Sequence, residues 1–156
     1  MQIKRVRELG AANAVAEARD AVAQARDAVT EAETKAQDFG AFRTREEKRL
    51  FEDIRGQGVK VEDIDEMKFK VEELRAREQA LLQEISDKQE ALAQAQSAQE
   101  TAQEAHREAQ KALQKFQDFV DAQRAEAQKE IAAHEEAEVE EVTEAIFAVR
   151  MQGSDP

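Results

Sequence analysis

ARDAVAQ at residues 18–24 runs directly into ARDAVTE at 25–31, a heptad repeated in the chain. Its apolar positions are separated by steps of four and three. Extended outward, the same steps place Val15, Val22 and Val29 at one seam position and Ala11, Ala18, Ala25, Ala32 and Phe39 at the other. Apolar residues recurring every 3.5 positions line one stripe of a helix and suit burial against a second helix. A disordered acidic chain has no reason to keep that phase, so this stretch reads as one arm of a coiled coil.

Composition agrees. The 156 residues include 30 Ala, 25 Glu, 23 Lys or Arg and 7 Leu, more than half the chain, a balance typical of long helices. Leu, Ile, Val and Phe together number only 31, too few to fill the core of a compact domain of this length. With 5 Gly, no Trp, no Tyr and a single Pro at position 156, a β-rich fold is excluded. The net charge of -12 argues against nucleic acid and against an anionic membrane surface as partners. No segment approaches the roughly 20 apolar residues of a membrane span. The basic N-terminus is not followed by the apolar run of a secretory signal. Absence of Cys removes disulfides and thiolate metal sites, and is compatible with the cytoplasm.

The first helix is expected over 1–55. Gly56 and Gly58 then interrupt the pattern in RGQGVK (55–60), with a glycine there expected as a left-handed helix cap. After the turn at 56–61, Glu62, Asp63, Asp65 and Glu66 favour the positive end of a second helix. Its seam runs Ile64, Met67, Val71, Leu74, Leu81, Ile85, Leu92 and Ala95. A phase change is expected there, with the stripe resuming at Ala98, Ala102, Ala105, Ala109, Ala112, Phe116 and Phe119.

A register test separates a hairpin from two unrelated helices. If the chain reverses near residue 59, facing residues have numbers that sum to twice that, about 118. Phe39, Phe42, Leu50, Phe51 and Ile54 then face 64–79, which holds Ile64, Met67, Val71 and Leu74. The Ala-rich 11–36 faces 82–107, Ala-rich from Ala91 onward. Large meets large and small meets small. The fold class is therefore all-α: two long helices in an antiparallel coiled-coil hairpin, the second longer, paired over about 80 Å. Residues 62–117 form the paired part of helix 2. Residues 118–150 continue as a helical acidic extension without an internal partner, and 151–156 as a disordered tail. A parallel homodimer is the structural rival to this monomeric hairpin.

Little in the chain could do chemistry. It has no Gly-rich phosphate loop and no nucleophile elbow. His106 lies one step off the expected Ala seam and reads as a solvated surface residue. His134 has Glu130 and Glu138 one turn to either side, but on one exposed helix with no outer groups to orient them it reads as surface also. A di-iron bundle needs Glu three residues before His on two helices, and neither His has it. The reading is non-enzymatic, with no catalytic, cofactor-binding or metal residues and no cofactor.

Three surface features remain as candidate partner-binding sites. Lys4, Arg5 and Arg7 concentrate positive charge at the N-terminus, either for docking or as ordinary surface charge answering the Glu-rich segment. Phe39, Phe42, Arg43, Glu46, Glu47, Leu50 and Phe51 crowd the distal half of helix 1, too many bulky groups for one narrow seam; some are exposed, or they pack around a ridge at Phe69. Val139, Val142, Ile146 and Val149 form a short seam beside eight Glu between 126 and 144. That seam docks a partner, folds back or dimerises.

The string FGAFRTREEKRLF (39–51), together with KRVREL (4–9), GQGVKVEDIDEMKFKVEELR (56–75) and AEVEEV (137–142), resembles the YscO family of type III secretion apparatus proteins, counterparts of flagellar FliJ. The resemblance covers essentially the whole chain. Phe42, Arg43, Glu46, Glu47, Leu50 and Phe51 match the family's aromatic-Arg-x-x-Glu-Glu-x-x-Leu-Phe pattern. It implies a stalk at the cytoplasmic face of the secretion apparatus, similar to a rotary-ATPase shaft. Such a stalk would bind the hexameric export ATPase, link it to the export gate and engage substrate chaperones; the shaft analogy favours the end carrying both termini for the ATPase. The residues alone also admit an Ala/Glu-rich stress-protective helix that folds on drying, or a generic coiled-coil scaffold.

Overall fold

The computed structural model describes residues 2–56, 58 and 60–153. Helix α1 spans Gln2–Arg55 and helix α2 spans Val61–Gly153, with no strand among the described residues. The second helix is the longer, as expected. Residues 151–153 belong to α2, while the last three residues of the tail expected to be disordered lie outside the described residues, as do two positions of the turn. The chain divides into two compact units: Leu9–His106, and the N-terminal residues to Glu8 with those from Arg107 onward.

Within Leu9–His106 the two helices run antiparallel. Arg43 donates to Glu78, Arg75 donates to Glu47, Arg77 lies over Phe39, and Glu78 approaches Gly40. The residue numbers of these pairs sum to 121, 122, 116 and 118, bracketing the register expected from the sequence. Of the four buried side chains among the described residues, Val22, Ala32 and Ala36 lie in the Ala-rich stretch 11–36 and Leu50 lies nearer the turn. Ala at successive seam positions lets two helix axes approach closely but buries little area per layer. The seam is therefore continuous and weak, and α2 buries no residue fully.

The seam of α2 corrects the sequence reading. Its half-buried positions include Ile64, Met67, Val71, Leu74, Glu78, Leu81, Ile85, Lys88, Leu92, Ala95, Gln99, Ala102 and His106, alternating three and four without interruption, with Glu84 and Gln103 half-buried beside them. No phase change follows Ala95. Ala98 and Ala105 are exposed, and so farther on are Ala112 and Phe119. Gln99 and His106 take the half-buried places instead, so His106 is not a solvated surface residue. A long polar side chain can lay its stem along a small Ala layer while its head reaches water. Apolarity therefore does not mark the seam where the facing residues are Ala.

The turn differs too. None of the described glycines has a left-handed backbone, so Gly56 does not act as the expected αL cap. Helix α1 ends at Arg55, where Gly56 and Gly58 two residues apart each cost about 1 kcal/mol in helix relative to Ala, whereas single Gly10 and Gly40 are carried within it. Helix α2 restarts where the Lys60 carbonyl accepts hydrogen bonds from the Asp63 and Ile64 amides at 3.1 and 3.3 Å, with Glu62 and Asp63 in the first turn at the positive end of the helix.

Candidate functional site

The distal string is built on the last four turns of α1. Spacing of three and four puts Phe39, Arg43, Glu46 and Leu50 on the seam side, whereas Phe42 and Phe51 point outward, 44% and 53% exposed. The Phe39 and Phe42 rings tilt against each other with centroids 5.8 Å apart. Phe39 also receives the Arg77 guanidinium, 5.7 Å from the ring centroid. Phe69 is exposed and forms no ridge over which the other rings are buried.

A charged cluster crosses between the helices here. The Arg43 guanidinium donates to Glu78 through Nε and to Glu47 through Nη1, the latter at 3.0 Å. Arg75 Nε donates to the other Glu47 oxygen at 3.2 Å. Three of these groups are mostly shielded, the side chains of Arg43 and Glu78 being 24% exposed and that of Glu47 14%, while Arg75 is 66% exposed. The hydrogen bonds that Arg43 donates to Glu78 and then to Glu47 hold its pKa above the ordinary value. Arg49 pairs with Glu46 and reaches Asp53 at 3.3 Å. That guanidinium depresses the Glu46 carboxyl and is itself raised in return. Beside the cluster, Phe42, Leu50 and Leu74 floor a groove of about 500 Å³ rimmed by Glu46, Lys70, Glu73 and Arg77.

The sequence reading found Arg43, Glu46 and Glu47 but missed Arg75, Arg77 and Glu78. Glu78 carried a signal: it occupies a seam position between the apolar seam residues Leu74 and Leu81.

The other two candidate surfaces lie in the unit that holds both termini. Lys4 is half-buried, with Nζ 5.2 Å from the centroid of the Phe116 ring, while Arg5 and Arg7 face solvent. A cation over an aromatic face at a partly exposed site contributes about 0.5–1 kcal/mol. Lys4→Gln should accordingly lower the thermal stability of this unit slightly. Phe116→Ala should lower it more, because it removes packed ring area as well as the contact; a calorimetric melt of each variant checks the order. From 121 to 153 every residue of α2 is exposed, including Val139, Val142, Ile146 and Val149. His134 pairs with Glu138 at 3.7 Å, and no group of three or more His, Asp or Glu among the described residues could hold a metal ion.

The family model of type III secretion protein YscO matches residues 1–145. The chain belongs to the YscO family. The crystal structure of type III secretion protein YscO from Vibrio parahaemolyticus is similar throughout, at 27% identity, with 90% of this chain and 88% of that chain covered and a TM-score of 0.84. No curated protein matches the chain. The resemblance carried by the distal string thus holds at the level of the family, and protein transport through a type III secretion apparatus is the setting in which this YscO-family hairpin acts. No described helix is long and apolar enough to cross a membrane.

Proposed function

We propose that the chain is a non-enzymatic coiled-coil stalk of the type III export apparatus that binds the hexameric export ATPase and links it to the export gate and to substrate chaperones at the cytoplasmic face. The observation that carries this reading is the division of labour along α2. Its first part is packed in a regular seam, and its last part, 121–153, is exposed throughout while keeping an apolar stripe at helical spacing. Val139, Val142, Ile146 and Val149 form that stripe, and the eight Glu between 126 and 144 give it an acidic border. An apolar stripe with a border of one charge fits a partner surface that is apolar at its centre and basic at its rim. Arg5, Arg7 and the exposed Phe42 and Phe51 are further contact candidates, because each presents charge or ring surface to solvent.

Mixing the purified chain with the export ATPase of the same organism tests the reading. Co-elution and a rise in ATP hydrolysis are expected. Separate elution with unchanged hydrolysis would remove the stalk proposal.

A further inference from the structure

The Ala seam that makes Leu9–His106 a hairpin does little to say which register it should adopt. A slip of one heptad along α1 replaces Val15 by Val22, Val22 by Val29, and Ala18 by Ala25, so the packing surface presented is the same. On α2 the same slip replaces Ala95 by Ala102 and Ala102 by Ala109. A seam built from repeated small residues specifies register weakly, in the way that flat uniform strands do.

The shielded charges do not tolerate that slip. Arg43 faces Glu78. One heptad away in either direction along α2 lie Val71 and Ile85, both half-buried seam residues. Glu47, held by Arg43 and Arg75, would face Leu82 after a slip in one direction and Lys68 after a slip in the other, so the slip toward Lys68 is opposed by Arg43 and Glu78. Each slip leaves a mostly shielded guanidinium or carboxylate against aliphatic side chains. An unpaired shielded charge is far more costly than a paired one is favourable, so such a cluster discriminates among registers strongly even though its net contribution to stability is small. A single polar residue at a coiled-coil seam position fixes register in the same manner.

We propose that the Arg43–Glu47–Arg75–Glu78 cluster is the register lock of the hairpin, and that without it the Ala-rich arms slide between heptad registers. The chain contains no Cys, so introduced pairs report register without background. Ala18→Cys with Ala102→Cys samples the observed register, with residue numbers summing to 120; Ala25→Cys with Ala102→Cys and Ala11→Cys with Ala102→Cys sample slips to 127 and 113. A slip of one heptad moves a residue about 10 Å along the axis, beyond the reach of a disulfide. With the cluster intact, oxidation should close the first pair and leave the other two below about one-tenth of its yield. With Arg43→Ala, Glu47→Ala and Glu78→Ala added, the slipped pairs should rise at least about fivefold while the helical circular dichroism is kept, since Ala is the best helix former. Arg43→Gln with Glu78→Gln, which keeps side-chain length and removes charge, should produce the same rise. Slipped pairs that stay at background in helical variants overturn the lock. So does a loss of helix in both variants, because the cluster would then be holding the arms together and not choosing their register.

Discussion

Val142→Asp combined with Ile146→Asp is expected to reduce secretion at least about 100-fold when this chain replaces the wild type in a secreting cell, without changing the melting temperature of the purified protein. The two halves of that result come from one observation. Both side chains are more than half exposed, at 58% and 52%, so neither contributes packing that a charge would disrupt. In an apolar interface the same two carboxylates would be desolvated without partners, at about 3–5 kcal/mol for a charge left unpaired in a dry contact. A tenfold loss of affinity corresponds to about 1.4 kcal/mol, so even one such charge exceeds a 100-fold loss. The border of Glu adds repulsion between the new charges and their neighbours, which no basic rim on a partner can fully offset. The measurement is paired: secreted substrate in culture supernatant, and the thermal melt by circular dichroism. Secretion that stays normal would mean that the stripe at 139–149 is not a docking surface. Placing Asp at Ala133, exposed and outside that stripe, gives the control in which secretion stays at wild type and the melt falls only by the small propensity cost of Ala to Asp.

How much of this was legible in the chain depends on side-chain size. The α1 seam was readable residue by residue because Val15, Val22 and Val29 mark one of its two positions unambiguously. The hairpin register was readable because Leu50 and Ile54 on one arm answer Ile64, Met67, Val71 and Leu74 on the other. The α2 seam beyond Ala95 was not readable. There Ala occurs at adjacent heptad phases, and the choice of Ala98 and Ala105 over Gln99 and His106 rested on hydropathy, which says nothing where the opposing layer leaves room for a long polar stem. The same limit hid Glu78: a charged residue was passed over at a seam position because its partner, Arg43, was thirty-five residues away in sequence. The exposed candidates fared differently. Phe42 and Phe51 could be recognised as too bulky for one seam, whereas which of the seven outward and inward groups shared a face required the backbone.

Val22→Asp is expected to unfold Leu9–His106 at room temperature, and it isolates the energy of the Ala-rich seam from helix propensity. Val22 is 5% exposed and is one of only four buried side chains in the described chain, all of them on α1. Val and Asp have similar, mediocre helix propensities, so the exchange changes the stability of an isolated helix by only a few tenths of a kcal/mol. What changes is the seam. The substitution removes about 1.5–3 kcal/mol of apolar burial. It also places a carboxylate at a position only 5% exposed, between the seam residues Ala18 and Ala25 of its own helix. Small domains hold together by about 5–15 kcal/mol, and a hairpin with so little buried area belongs at the low end of that range. Ala23→Asp, one position along and exposed, carries the same new charge and a propensity loss of about 0.7 kcal/mol, and should keep the hairpin folded with a slightly lower melt. Helical circular dichroism at 25 °C reads the difference directly: a collapse of signal for Val22→Asp beside a near-normal spectrum for Ala23→Asp. Equal melts for the two would mean that the arms are held by the distal charged cluster and the larger residues near the turn, with the repeat at 18–31 contributing helix but no cohesion.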